Sequence, residues 1–227
     1  MTVIKDLKGK IVVSSQAMPG EPFYDEKCMI AMMQSVVNGG AGALRVAGAR
    51  DVRNAKKMFN VPVIGLTKPD KLPDNWKSVV YITPTLKEVE ELISANADII
   101  AFDGTSRPRP NSCTLSNIIE KVHLSKKVAM ADISTFEEGI NCANLGADII
   151  STTLAGYTDE SASTKDTPDF ELLEQLVNAI DKPVILEGRI WTPNDVKKGF
   201  ELGAHCVVIG SAITRPHLIT KRFTESV

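Results

Sequence analysis

Short runs of apolar, mostly β-branched residues return at a near-regular interval along the whole chain. They read Lys10–Gln16 (KIVVSSQ), Gly42–Ala47 (GALRVA), Val61–Lys68 (VPVIGLTK), Ala97–Asp103 (ADIIAFD), Lys127–Ile133 (KVAMADI), Ala147–Thr153 (ADIISTT), Lys182–Gly188 (KPVILEG) and Ala204–Ser211 (AHCVVIGS). A continuous apolar run, rather than an alternating one, suits a parallel strand buried on both faces. One more short run, Val79–Thr83 (VVYIT), belongs to an excursion after the third strand.

Helical spacing fills several of the intervals. Met29–Asn38 carries it, and Thr85–Ala95 sets Leu86, Val89, Leu92 and Ile93 on one face against Lys87, Glu88, Glu90 and Glu91 on the other. Thr135–Leu145 and Pro193–Leu202 follow the same pattern. The last opens with Thr192-Pro193, an N-cap and a first-turn proline. Gly40-Ala41, Asn96-Ala97, Gly146-Ala147 and Gly203-Ala204 each place a residue that tolerates the left-handed conformation just before a strand, which is how a helix stops.

Strands alternating with helices predict a parallel α/β fold. A doubly wound sheet is the rival. Strand count and a length of 227 residues, near the lower end for barrels, favour a single (β/α)8 TIM barrel spanning residues 1–227. No linker or low-complexity run divides the chain. Tyr157–Asp169 is polar and reads as a surface loop after the sixth strand.

Composition narrows the function. With 26 basic against 28 acidic residues, bulk charge predicts neither nucleic-acid nor membrane affinity. Cys28, Cys113, Cys142 and Cys206 are scattered and form no zinc spacing, which suits free thiols in a reducing cytosol. The first ten residues hold no apolar signal core, and no stretch reaches membrane-spanning length. His123, His205 and His217 lie far apart, so neither a metal nor a nucleotide cofactor is expected. The chain reads as a cytoplasmic enzyme.

In a barrel, function collects where strands end, because all βα loops open on one face. The polar strand-end residues are Gln16, Arg45, Lys68, Asp103, Asp132, Thr152, Thr153, Glu187 and the pair Gly210-Ser211. Such residues are more often solvated or capping than catalytic; their convergence on one rim is what points to a site. Lys68 ends an apolar strand, where desolvation lowers an ammonium pKa and makes a usable base. The plainer reading is a surface lysine beside Pro69-Asp70. Glu187 also emerges from an apolar strand and reads as an acid/base group, or as the partner of Arg189. Asp132 reads as an orienting group for Lys68 or a hydroxyl, or as the cap of the helix near Thr135. Gly188 and Gly210-Ser211 close the last two strands, where backbone amides cradle phosphate in barrels, and Arg215 adds positive charge.

With these residues in place, the chain resembles the N-acetylmannosamine-6-phosphate 2-epimerases of amino-sugar and sialic acid catabolism. The matching segments run end to end: SSQAMPGEP (Ser14–Pro22), GALRVAG (Gly42–Gly48), PVIGLTK (Pro62–Lys68), ITPTLKEVEEL (Ile82–Leu92), FDGTSRPR (Phe102–Arg109), MADISTFEEG (Met130–Gly139), STTLAGYT (Ser151–Thr158), ILEGRIWTP (Ile185–Pro193) and VIGSAITRP (Val208–Pro216). MADISTFEEG and AITRP are the most specific. The resemblance implies a (β/α)8 fold, with Lys68 and Glu187 as the catalytic residues. Gln16, Arg45, Asp132 and Thr153 are then substrate contacts, and Gly188, Gly210, Ser211 and Arg215 form the phosphate site. It implies a phosphorylated amino sugar as the small-molecule partner and no cofactor; a homodimer is the one assembly considered, and the sequence does not give the oligomeric state. Where the family has a basic residue and an acidic-aromatic pair after the lysine, this chain has Pro69-Asp70 and a longer segment, Lys71–Lys77.

The implied reaction inverts C2 of a 2-acetamido sugar. The ring opens to the C1 aldehyde, a base removes the C2 proton, and the enolate is reprotonated on the other face. Lys68 is the expected base, Glu187 the residue that assists ring opening or exchanges a proton with a hydroxyl, and Arg45 a stabiliser of charge on O1. A two-base scheme using Lys68 and Glu187 on opposite faces fits equally. Two alternatives stand: another phosphate-binding barrel, acting on a ribulose phosphate or an indole or thiamine precursor, and a non-catalytic sugar-phosphate sensor.

Overall fold

The computed structural model describes residues 2–227. In chain order the elements are α1 (Thr2–Leu7), β1 (Ile11–Ser15), α2 (Glu26–Asn38), β2 (Ala43–Ala47), α3 (Ala49–Met58), β3 (Val63–Leu66), α4 (Leu86–Ser94), β4 (Ile99–Asp103), α5 (Leu115–Leu124), β5 (Val128–Asp132), α6 (Phe136–Asn144), β6 (Ile149–Ser151), α7 (Phe170–Ala179), β7 (Val184–Glu187), α8 (Pro193–Glu201), β8 (Cys206–Ile209), α9 (Ser211–Thr214) and α10 (Pro216–Thr224). Every strand pairs in parallel with the next, and β8 pairs with β1, so the sheet is a closed barrel. Each of the eight apolar runs contains one strand. The doubly wound alternative is overturned by closure.

Side chains of successive strand residues point to opposite faces, and this splits the core into two shells. Val12, Ala43, Ile64, Leu66, Ile99, Ala101, Val128, Met130, Ile149, Ile185, Cys206 and Val208 fill the barrel interior. Their neighbours, among them Val13, Leu44, Val63, Ile100, Ala129, Ile150, Leu186 and Val207, pack outward against the helices. Both faces of each strand are therefore apolar, which is why the sequence shows runs rather than alternation.

The four glycine or asparagine stops hold: Gly40, Asn96, Gly146 and Gly203 have φ of 95°, 65°, 99° and 93°. Thr85, Thr135 and Thr192 each form a reciprocal capping box at the start of α4, α6 and α8. The run Val79–Thr83 forms no strand. It lies over the β3–β4 seam, where Thr83 Oγ1 accepts from Thr67 N and donates to Ala101 O, and Asp103 N donates to Ile82 O. Six helices, α1, α3, α5, α7, α9 and α10, fall outside the segments singled out from sequence. No helix among the described residues is long and apolar enough to cross a membrane.

The N-terminal mouth of the barrel is closed by α1. Its Leu7 is fully buried in the interior shell. The helix is pinned by a 2.7 Å contact between the His205 ring and Ile4 O, and by Gly9 N donating to His205 O. Truncating such a side chain loses its transfer energy and leaves a cavity. Leu7→Ala is expected to cost about 2–5 kcal/mol of folding stability, read as a lower midpoint in urea with an unchanged slope; a loss under ~0.5 kcal/mol would mean α1 does not plug the barrel.

Candidate active site

The same two-residue period that sorts the core also sorts the polar rim. Extending the inward face of each strand by one or two steps reaches Ser14 and Gln16, Arg45, Lys68, Asp103, Asp132, Ser151 and Thr153, Glu187 and Gly210. Thr152 has the opposite phase and spends its hydroxyl on Glu187 O and Glu187 N, stitching β6 to β7. It does not reach the cavity, nor does Asp103, which lies fully buried with its carboxylate on Arg107 Nη2 at 2.6 Å and Thr105 Oγ1 at 2.6 Å.

A cavity of about 430 Å³, a size suited to a small ligand, opens at the C-terminal end of the barrel. Gln16, Arg45, Lys68, Thr153, Glu187, Gly188, Gly210, Ser211 and Arg215 all line it. Asp132 does not. It sits beneath the floor with no exposure, accepting from Arg45 Nη1 and Nη2 at 3.2 and 2.7 Å and facing Thr153 Oγ1 at 2.7 Å. The alternative that Asp132 caps α6 is excluded, because Thr135 is the cap.

Arg45 is 1% exposed and sits between two carboxylates, Asp132 at 2.7 Å and Glu187 at 3.3 Å from its Nε. A buried guanidinium of this kind requires paired charge. Its buried Nε–H makes no well-aligned hydrogen bond within the protein, although Glu187 Oε1 lies beside it. Gln16 is similar: its Nε2 donates to Ser14 Oγ, while its buried Oε1 has no partner. That orphan oxygen can accept from a ligand hydroxyl or amide.

Lys68 projects past the end of β3, held there by the Thr67–Thr83 pair of hydrogen bonds. Among the described residues it makes no ion pair within 4.0 Å. Burial, reinforced by the positive charge of Arg45, lowers its pKa from 10.5 to about 8, with Glu187 opposing. Glu187 is pushed above the ordinary glutamate range by burial, against the pull of Arg45. The two groups are thus moved toward each other and toward neutrality, which is the pattern expected of an acid/base pair. The ion pair of Glu187 with Arg189 does not form; Arg189 donates to Thr167 O and Ala155 O and covers the Tyr157 ring.

Gly188, at φ 108°, turns the chain sharply after β7 in a conformation that side-chain-bearing residues rarely adopt. With Gly210-Ser211 at the head of α9, it leaves backbone beside the cavity. Arg215 follows α9 and pairs with Glu21 at 3.1 Å, while the other oxygen of Glu21 accepts from Met18 N. This ties the β1 loop to the cationic wall.

Sequence reasoning missed part of the wall. Tyr81 and Ile82 come from the long segment after Lys68, Tyr157 from the β6 loop, and Trp191 from the start of α8. The long segment is no loose insertion. Arg107 Nη1 donates to Trp76 O and Lys77 O, and Ser78 Oγ donates to Asp159 Oδ2 at 2.6 Å, so the β3, β4 and β6 loops form one connected cover. The aromatic residues in VVYIT and AGYT, within the loops that follow strand-end residues, are the signal that could have found them.

A model of the family described as "Putative N-acetylmannosamine-6-phosphate epimerase" matches residues 29–227. The chain belongs to this family. A Clostridium perfringens relative described as "Putative N-acetylmannosamine-6-phosphate 2-epimerase" is 46% identical over 219 residues, covering 96% of this chain and 97% of its own. One from Caldanaerobacter subterraneus subsp. tengcongensis, with the same description, is 44% identical over 225 residues, covering 98% and 93%. The solved structure of a C. perfringens N-acetylmannosamine-6-phosphate 2-epimerase superposes with a TM-score of 0.93 at 44% identity, covering 99% of this chain and 96% of that one. A thiamine phosphate pyrophosphorylase from Pyrococcus furiosus shares only the fold, at 13% identity and a TM-score of 0.60.

The placement of Lys68 has a consequence for stability. Its ammonium is disfavoured in the folded chain, so the unfolded chain binds that proton more tightly, and stability rises with pH between about 8 and 10.5. Below about 8 the cost is present in full; above 10.5 it is gone. Lys68→Met is therefore expected to be more stable than the parent by roughly 1–3 kcal/mol at pH 7, with the gap closing as pH rises through that window. Paired denaturation curves across pH measure it, and a gap that widened with pH would contradict the assignment.

Proposed function

We propose that the chain is an N-acetylmannosamine-6-phosphate 2-epimerase, interconverting that sugar and N-acetylglucosamine 6-phosphate in amino-sugar and sialic acid catabolism in the cytoplasm. The observation that carries this reading is the juxtaposition, in one cavity, of a lysine with a lowered pKa, a glutamate with a raised one and a phosphate-type wall. The family membership supports the substrate.

C2 carries no acidic proton in the cyclic sugar. Glu187, as the acid, gives its proton to the ring oxygen and its carboxylate takes the proton from O1, so the C1–ring-oxygen bond breaks, the C1 aldehyde appears and Glu187 is left protonated. Lys68, as the free amine, takes the C2 proton, and the C–H electron pair becomes the C1–C2 double bond of an enolate. Arg45, whose Nε–H lies 3.3 Å from Glu187 Oε1 without an aligned hydrogen bond, is the cation we assign to the charge on O1. A proton returned to the opposite face of C2, from the Lys68 ammonium or from Glu187 with solvent then resetting the pair, gives the epimer, and the ring closes by the reverse steps. No redox change or co-reactant enters this balance. Gln16 Oε1 accepts from a substrate hydroxyl or the acetamido N–H. Asp132 acts on substrate only through Arg45 and Thr153. The phosphate lies against Gly188, Gly210, Ser211 and Arg215.

Incubation with N-acetylmannosamine 6-phosphate and no additive, followed by proton NMR, tests the activity; appearance of the gluco epimer supports it, and an inert substrate defeats it. Lys68→Ala should lose on the order of 10²–10⁴ in kcat, the usual contribution of a general base. In D2O the parent should wash the C2 hydrogen into solvent and the variant should not. If the variant exchanges C2 at the parental rate, the base lies elsewhere.

Arg215 contacts a group that does not react, so its contribution falls on ground-state and transition-state binding alike. Arg215→Ala is expected to raise KM for the phosphorylated sugar with a smaller effect on kcat. The loss should be about 1.5–3 kcal/mol, the scale of a hydrogen bond to a charged group. Unchanged binding of the phosphorylated sugar by the variant would remove Arg215 from the phosphate site.

A further inference from the structure

Thr153 Oγ1 stands between two carboxylates, 2.7 Å from Asp132 Oδ1 and 2.9 Å from Glu187 Oε2. A hydroxyl carries one proton and two lone pairs, so it satisfies only one of them as a full donor. Ser151 Oγ, 2.9 Å away, has a proton of its own to give to Thr153. Asp132 already accepts two N–H groups of Arg45, so its anion is the form this floor stabilises. The Thr153 proton therefore goes to Asp132, along the shorter contact. Glu187 Oε2 is then held at hydrogen-bond distance from an oxygen that turns lone pairs toward it. A carboxylate there is repelled, whereas a carboxylic acid donates.

We infer that Thr153 is a positioning residue that keeps the proton on Glu187 in the resting site, by giving its own proton to Asp132 and accepting the one on Glu187. The use of that proton in ring opening rests on the epimerase reading; the proton's location does not.

The surroundings of Glu187 divide: burial and Asp132 favour its neutral form, Arg45 and Lys68 favour its anion, and a Thr153 proton donated to Glu187 would favour the anion too, so the direction of that hydrogen bond decides. Facing Glu187 are Arg45 from β2, Lys68 beyond β3, Asp132 from β5, Thr153 and Tyr157 beyond β6, and Cys206 from β8, while Arg215 beyond α9 acts on Lys68. Burial of Glu187 favours its neutral form. With Arg45 and Asp132 cancelling, the Lys68–Glu187 pair is neutral overall whether it is ammonium and carboxylate or amine and carboxylic acid. The two forms differ by the position of one proton. The acceptor supplied by Thr153 favours the amine-and-acid form, the one ready both to open the ring and to take a proton from carbon.

The test is a carbon-NMR titration of protein labelled with [13C]glutamate, without substrate, the Glu187 carboxyl being assigned by its absence in Glu187→Gln. In the parent it should titrate well above an ordinary glutamate; titration in the ordinary range overturns the inference whatever the variants do. In Thr153→Val, which keeps the shape and loses the hydroxyl, the Glu187 pKa should fall by about one unit or more, the size of a lost hydrogen bond. Thr153→Ser should restore it. Thr153→Ala replaces the valine variant if that one does not fold. A rise would show that Thr153 donates to the Glu187 anion instead, and no change would show that it sets nothing; either result overturns the inference. The matching kinetic readout is the Glu187 limb of the pH profile of kcat/KM, which should move down with it. Absence of epimerase activity in the parent would defeat the functional reading and leave this titration standing on its own.

Discussion

The floor of the barrel depends on one buried cation. Arg45 is 1% exposed, and an unpaired guanidinium at that depth would cost far more than the fold can supply. Asp132 answers it with its charge and two hydrogen bonds, and the Glu187 carboxyl lies 3.3 Å away on the Nε side. Once this pair and its neighbour are in place, the geometry above them is constrained. Asp132 fixes Thr153, Thr153 touches Glu187, and the positive charge of Arg45 adds to burial in lowering the pKa of Lys68. The cavity chemistry is a consequence of how the barrel neutralises its own floor.

Barrel geometry explains why these groups meet. Each strand sends alternate side chains inward, and the interior below the floor is filled by Ile64, Met130, Ile185, Val208 and their neighbours. One step further along the same face the apolar residue gives way to Arg45, Asp132 or Glu187. The change from greasy to charged occurs at matching heights on strands that are far apart in sequence. The register records this: Asp132 pairs with Ser151, and Ser14 with Arg45. No local sequence signal states that alignment; closure of the sheet creates it.

The fold was therefore more legible than the site. Eight apolar runs and four left-handed stops carry their own physical cause, and each survives in the structure. The helices that escaped do so for visible reasons. In α3 (ARDVRNAKKM) the only buried apolar residues are Val52 and Ala55, too few to draw a stripe. The turn after α5 uses Lys126 at φ 57°, where no glycine marks the stop. Helix α10 buries no residue at all, so nothing in its pattern needed to be apolar. At the rim, a charged residue at a strand end is a necessary feature and not a sufficient one. Asp103 shares the inward phase of Asp132, yet Arg107 four residues on captures it and turns it into the anchor of a loop. Thr152 and Thr153 are neighbours of one kind, and only their phase decides that one stitches strands while the other meets the carboxylates.

The long segment after Lys68 shows how a departure in sequence is absorbed. It adds Trp76 and Lys77, whose carbonyls accept from Arg107, and Ser78, whose hydroxyl reaches Asp159 on the β6 loop. The Asp103–Arg107 pair, which would otherwise be a buried charge with no functional return, thereby becomes the post to which the cover is tied. Tyr81 and Ile82 leave that cover at the cavity wall, and Thr83 returns to β3 and β4 beside the base of Lys68. A rigid cover serves this site physically, because the lowered pKa of Lys68 and the raised one of Glu187 both originate first in burial. Loosening the cover would admit water and return each group toward its ordinary pKa, raising that of Lys68 and lowering that of Glu187. The loop that varies from the family pattern is thus coupled to the protonation state of residues it does not touch, through the solvent it excludes.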